Sequence, residues 1–162
     1  GRISLNVRRV WVDCLAFEQL ADSVGMPTAA ALPAAARVAA ERALALYSGA
    51  FLQGSEDNAW QLAYRSRLAS KFKRQLSLLA QAATARGDGV AARDLLERGL
   101  EFDPVSEDLA RHLMAELIAV GEQAAALAVF ERCRQAIALQ LGATPSPATL
   151  ALLARARGAA VG

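Results

Sequence analysis

The residue types best suited to chemistry are few and scattered. His112 is the only histidine, and Cys14 and Cys133 are the only cysteines. They form no cluster with zinc-ligand spacing. A Ser-His-Asp triad would have to use His112, which stands beside Arg111 in a helical pattern. The chain has no Walker-type phosphate loop, no Gly-rich loop after a strand and no Gly-x-Ser-x-Gly elbow. The acids Glu101, Asp103, Glu107 and Asp108 read as one helix end followed by a helix start. At such a start negative charge favours the positive pole of the peptide dipoles. The expectation is a protein that is not an enzyme and has no cofactor and no metal. Its two distant cysteines are expected as reduced thiols in a cytoplasmic protein.

The elements that must position these residues are helices. Of 162 residues, 38 are Ala and 24 are Leu, while Val, Ile and Thr together number 17. Ala and Leu lose least on entering a helix, and β-branched residues favour strands. The composition therefore excludes a sheet-rich fold and disorder. Net charge is +2, from 18 basic and 16 acidic residues, smaller than the clustered excess of a nucleic-acid domain. No apolar stretch reaches the ~20 residues of a membrane span, and no signal-peptide pattern opens the chain. From its Gly-Arg start in place of Met, the chain is expected to be an excised piece.

Residues 1–12 differ from the rest. Ile3, Leu5 and Val7 alternate with polar residues, and Val10-Trp11-Val12 follows, so a short β-hairpin or extended segment is expected. Asp13 then suits the N-cap of a first helix carrying Leu15, Phe17, Leu20 and Val24. Trp11 and Phe17 are expected to pin the junction to that helix. A second helix runs from about Pro33 towards Gly49, and a third, the longest, spans about 57–86, capped by Ser55 or Asp57. On that helix Arg65 shares a face with Leu68, Phe72, Leu76 and Leu79. Its stem lies on the core, or its head reaches a carboxylate such as Glu41 or Asp57. Further helices fall at about 88–101, 106–120, 122–140 and 147–156, with Ser106 and Ser146 as N-caps and Pro147 in a first turn.

Two of these segments repeat at an offset of 34 residues. Gly87-Asp88 aligns with Gly121-Glu122, Ala92 with Ala126, Leu96 with Phe130, and Glu97-Arg98 with Glu131-Arg132. A 34-residue helix–turn–helix period is that of tetratricopeptide repeats. Glycine permits the tight turn, the small alanine lets paired helices approach, and the bulky residue one turn later fills the groove. The copies are degenerate. The early aromatic is replaced by Leu76 and Ala110, and the second copy ends on Ala138 in place of Pro.

Longer blocks carry a closer likeness. Val10–Leu20, Ala43–Leu52, Trp60 with Arg65 and Leu68, Asp103–Glu107 and Leu141–Thr149 together resemble the bacterial transcriptional activator domain of the antibiotic regulatory protein family. The likeness covers about residues 10–153. It implies an all-α, tetratricopeptide-like array of about seven helices over residues 13–157. It also implies a winged-helix DNA-binding domain upstream, of which residues 1–12 would be the junction, and leaves 158–162 as a flexible tail. The implied function is regulatory protein–protein interaction in a transcription regulator, through self-association as a homodimer, contact with transcription machinery, or control of the chain's own DNA-binding domain. DNA would be met only through that upstream domain. The alternatives are a small-ligand sensor with an effector in the superhelical groove, and a generic assembly scaffold.

Mapping the repeat places candidate partner-binding residues on the inner face of the first helices. These are Arg74, Ser77 and Gln81 on the third helix, and Arg111, His112, Ala115 and Ile118 on the fifth. Arg111 and His112 could grip an acidic partner, or all of them could be solvated surface. A second candidate is the basic stripe Arg67, Lys71 and Arg74, which lie within about 60° of one another. That stripe could face phosphate or an acidic polymerase subunit, or be a solvated face. Trp60 and Tyr64 read as packing residues rather than a base-stacking platform.

Overall fold

A computed structural model describes residues 11–25, 27–28, 32–49, 51–52 and 58–158. Among them are seven helices and no strand: α1 (Asp13–Ser23), α2 (Ala34–Leu46), α3 (Ala59–Ala85), α4 (Gly89–Phe102), α5 (Glu107–Ala119), α6 (Gln123–Leu141) and α7 (Pro147–Gly158). The expected all-α, tetratricopeptide-like array of about seven helices is what the chain forms. Of the hairpin or extended segment expected at residues 1–12, only Trp11 and Val12 are described, and neither is in a strand; residues 1–10 and the caps expected at Ser55 and Asp57 lie outside the described residues. The chain packs as two compact units that divide within α3, residues 1–79 and 80–162.

In the first unit α1 packs against α2. Val12, not Asp13, is the N-cap of α1. The Asp13 carboxylate instead accepts the neighbouring Cys14 N–H at 2.7 Å. α2 stops at Leu46, and Tyr47 leaves it with extended backbone. That turn puts the Tyr47 ring 4.2 Å from Phe72, stacked, and 5.4 Å from Phe17. Phe17, Ala21, Ala40, Ala43, Leu44, Leu68 and Phe72 are buried. The start of α3 is a reciprocal capping box. The Asn58 N–H donates to Gln61 Oε1 and the Gln61 N–H to Asn58 Oδ1, both at 3.1 Å. Arg65 donates to the carbonyls of Phe51 and Leu52, at 2.5 and 2.6 Å. It thereby holds a turn in which Leu52 has φ 51°, a left-handed backbone that costs a leucine about 1–2 kcal/mol.

In the second unit the 34-residue repeat appears as repeated hydrogen bonds. At the first turn the Asp88 N–H reaches Ala83 O (2.9 Å) and Gly87 reaches Thr84 O (2.9 Å). At the second, Glu122 reaches Leu117 O (2.8 Å) and Gly121 reaches Ile118 O (3.1 Å). Each is a Schellman motif, with the glycine at φ 77° and 81°. Ala92 and Ala126, one turn into the following helices, are completely buried. One core joins Ala80, Leu96, Leu109, Leu113, Met114, Ala126, Val129, Phe130, Cys133, Ile137 and Ala156. α5 sits centrally, packing on α4, α6 and α7. α7 continues to Gly158, two residues beyond its expected end.

Candidate interaction surfaces

The basic stripe of α3 faces acids of α1, four residues apart on that helix. Arg67 Nε lies 3.1 Å and Lys71 Nζ 3.0 Å from Glu18 Oε1, and Lys71 is also 2.8 Å from Asp22. Tyr64 Oη donates to Glu18 at 2.9 Å, and the Arg67 guanidinium stacks 4.7 Å from the Tyr64 ring centroid. Burial opposes charge on Glu18, but the hydrogen bonds of Lys71 and Tyr64, with the nearby cations, hold its carboxyl below the ordinary value. Burial likewise opposes charge on Lys71, and Asp22 and Glu18 outweigh it, raising its pKa. Burial, with Cys14 and Glu18 beside it, pushes the Tyr64 phenol up, so it remains a donor. Arg74 donates to Ala21 O at 3.1 Å, at the end of α1. Sequence inspection missed Glu18. Its i, i+4 spacing to Asp22, matching Arg67 and Lys71 on α3, is the signal that could have found it.

The candidate groove residues fall in both units. Arg74 and Ser77 belong to the first, with Ser77 half-buried. Gln81, exposed, belongs to the second with Arg111, His112 and Ile118. Ile118 packs on the second core. Arg111 turns toward α7, donating to Ser146 Oγ (3.4 Å) and Thr149 Oγ1 (3.3 Å) and pairing with Asp108. His112 faces another way, its Nε2 3.5 Å from Thr84 Oγ1 and 3.7 Å from Glu116. Burial lowers the pKa of His112 and Glu116 partly offsets this, which keeps the ring neutral at pH 7.

Arg111 borders an anion site filled by the chain itself. Glu107 Oε2 accepts the Ser146 N–H at 2.8 Å, Ser146 Oγ at 2.7 Å and Thr149 Oγ1 at 2.5 Å. A carboxylate of α5 thus occupies the N-terminus of α7, where free N–H groups attract an anion. Burial opposes the charge on Glu107, but the bonds from Thr149 and Ser146 hold its carboxyl below the ordinary value. Ser146 stands at the expected N-cap position, yet its hydroxyl serves Glu107. Ser106 also stands at an N-cap, without a side-chain cap bond.

Trp11 is 70% exposed, not pinned against α1 as expected, whereas Phe17 is buried. Its indole borders an open groove of about 520 Å³ lined also by Leu15, Gln19, Glu18, Arg67 and Lys71. Trp60 is 60% exposed and meets Phe51 edge-on at 6.1 Å, and Tyr64 meets Phe51 edge-on at 4.7 Å. Both cysteines are free thiols. Among the described residues no three His, Cys, Asp or Glu side chains could hold a metal, and no helix is long and apolar enough to cross a membrane.

Residues 12–157 match the model of the family described as bacterial transcriptional activator domain. No curated protein matches the chain.

Proposed function

Because this chain belongs to the bacterial transcriptional activator domain family, we propose that it is the regulatory, protein-contacting module of a transcription regulator. The family match over residues 12–157 carries this reading, since it spans every described helix almost to the end of α7. The partner is a protein: transcription machinery, a second copy, or the DNA-binding domain that the family resemblance implies upstream. Two features support contact with that upstream domain. Trp11, the residue immediately before the matched segment, offers a large exposed apolar ring, and such rings are enriched where proteins meet. The adjoining groove offers both charge signs, on Glu18, Arg67 and Lys71. The mechanism would be differential contact in two arrangements of the domains, which shifts their populations.

The test is a reporter assay on the full-length regulator, with and without residues 12–157, and with Trp11→Ala. Deletion is expected to abolish activation while promoter binding by the upstream domain persists. Trp11→Ala is expected to alter activation with the melting temperature unchanged. Full activation by the deleted form would reject the reading.

A further inference from the structure

α4 and α6 both pack on α5, and beside that contact lies a groove of about 270 Å³ that reaches from one to the other. Its floor is Leu100 with Val129 and Cys133, the last two 3% and 2% exposed. Burial raises the Cys133 thiol pKa, so the floor is uncharged at neutral pH. Glu97, Glu101 and Arg132 also line the groove. Arg132 Nη2 donates to both oxygens of Glu97 at 3.0 Å, and that exposed pair neutralises itself. Glu101 is exposed, and the ion pairs among the described residues leave it unmatched.

The size, lining and charge of the groove select its occupant. The volume lies just below the usual range for small-molecule sites, and the floor carries no hydrogen-bonding group other than a weakly polar thiol to orient such a ligand. The unmatched carboxylate repels phosphate, which disfavours nucleic acid. What fits is one large apolar side chain, anchored as a knob and flanked by a cation. We propose that this groove docks a partner protein through a leucine- or phenylalanine-sized side chain, on a helix that carries a lysine or arginine one turn away to meet Glu101. The proposal rests on the protein-contact reading above and names a surface for it.

The experiment uses two alanine-based helical peptides with one central leucine, flanked at i±4 by lysine in one and glutamate in the other. Each is titrated into the whole chain and followed by amide NMR shifts. The lysine peptide is expected to bind about three- to fivefold more tightly, the scale of one exposed charge contact. Shifts are expected to cluster at residues 97–101 and 129–133. Glu101→Lys, an exposed change that leaves the fold intact, is expected to erase the preference and to lower reporter activation by the full-length regulator. Equal binding of both peptides, or shifts centred elsewhere, overturns the groove. So does full activation by Glu101→Lys where deletion of residues 12–157 abolishes it, an outcome that leaves the protein-contact reading standing. Full activation after the deletion sinks that reading instead.

Discussion

A glutamate in the first turn of a helix ordinarily contributes about 0.3–1 kcal/mol through the peptide dipoles. Glu107 contributes more, because one of its oxygens also receives three hydrogen bonds from the start of α7. Glu107→Gln keeps the shape but removes the charge, and hydrogen bonds to charged groups are worth about 1.5–3 kcal/mol each. The amide oxygen retains part of that, so the expected loss is about 1–3 kcal/mol at pH 7, read from denaturant unfolding. The folded-state pKa is depressed from the ordinary 4.5. The stabilisation is therefore complete above that value and disappears as pH falls through the lower folded value. Unfolding at pH 7 and below pH 4 should show the gap between the two proteins narrowing with acid, and a constant gap would refute the assignment. Only half of this site was legible in the sequence. Ser146 and Pro147 announced a helix start, and Glu107 read as an ordinary first-turn acid. The join between them spans 39 residues, and periodicity reports nothing at that range. For the same reason Arg111 looked available for a partner, while its hydrogen bonds run to Ser146 and Thr149.

Helices were the most legible level, because each carries its own period and punctuation. The Gly87 and Gly121 turns followed from glycine plus the 34-residue offset, and the backbone bonds at the two turns match position for position. The errors fell at starts where several caps compete. Asp13 looked like a cap but sits inside α1. The box made by Asn58 and Gln61 was overlooked, although Asn-x-x-Gln before a helical run is its signature. The packing reading makes a prediction at this level. Ala126 is completely buried, so Ala126→Leu overpacks the second core and should cost about 1–3 kcal/mol. Gly121→Ala is a contrast. A Cβ there meets nothing within 4 Å, so only the left-handed backbone is penalised, by about 1–2 kcal/mol. Thermal melts followed by circular dichroism should therefore rank Ala126→Leu as at least as damaging as Gly121→Ala. A neutral Ala126→Leu would remove the small-residue account of the repeat.

At the scale of the whole molecule, the division within α3 was not legible, since one helix with one apolar stripe runs through it. Charge was legible as a sum and misleading as a pattern. Five bases between Arg65 and Arg74 with no acid among them suggest a phosphate-facing strip. In the folded chain Glu18 and Asp22, more than forty residues earlier, pair with Arg67 and Lys71. Of the three stripe residues only Arg74 has no carboxylate partner among the described residues, and it donates to a backbone carbonyl. A DNA footprint using all three would give a log Kobs against log salt slope of about −2.7, at about −0.9 per phosphate. With Arg67 and Lys71 held by α1, the slope for a random duplex should be no steeper than about −1. Affinity should be weaker than about 10⁻⁴ M at physiological salt, the weak end of non-specific binding. Fluorescence anisotropy of this chain with labelled duplex, across a salt series, measures both. Glu18→Gln with Asp22→Asn frees the two bases and should steepen the slope towards −2.7. Micromolar binding by the unaltered chain would show that the stripe contacts DNA itself, and would place DNA recognition in this module.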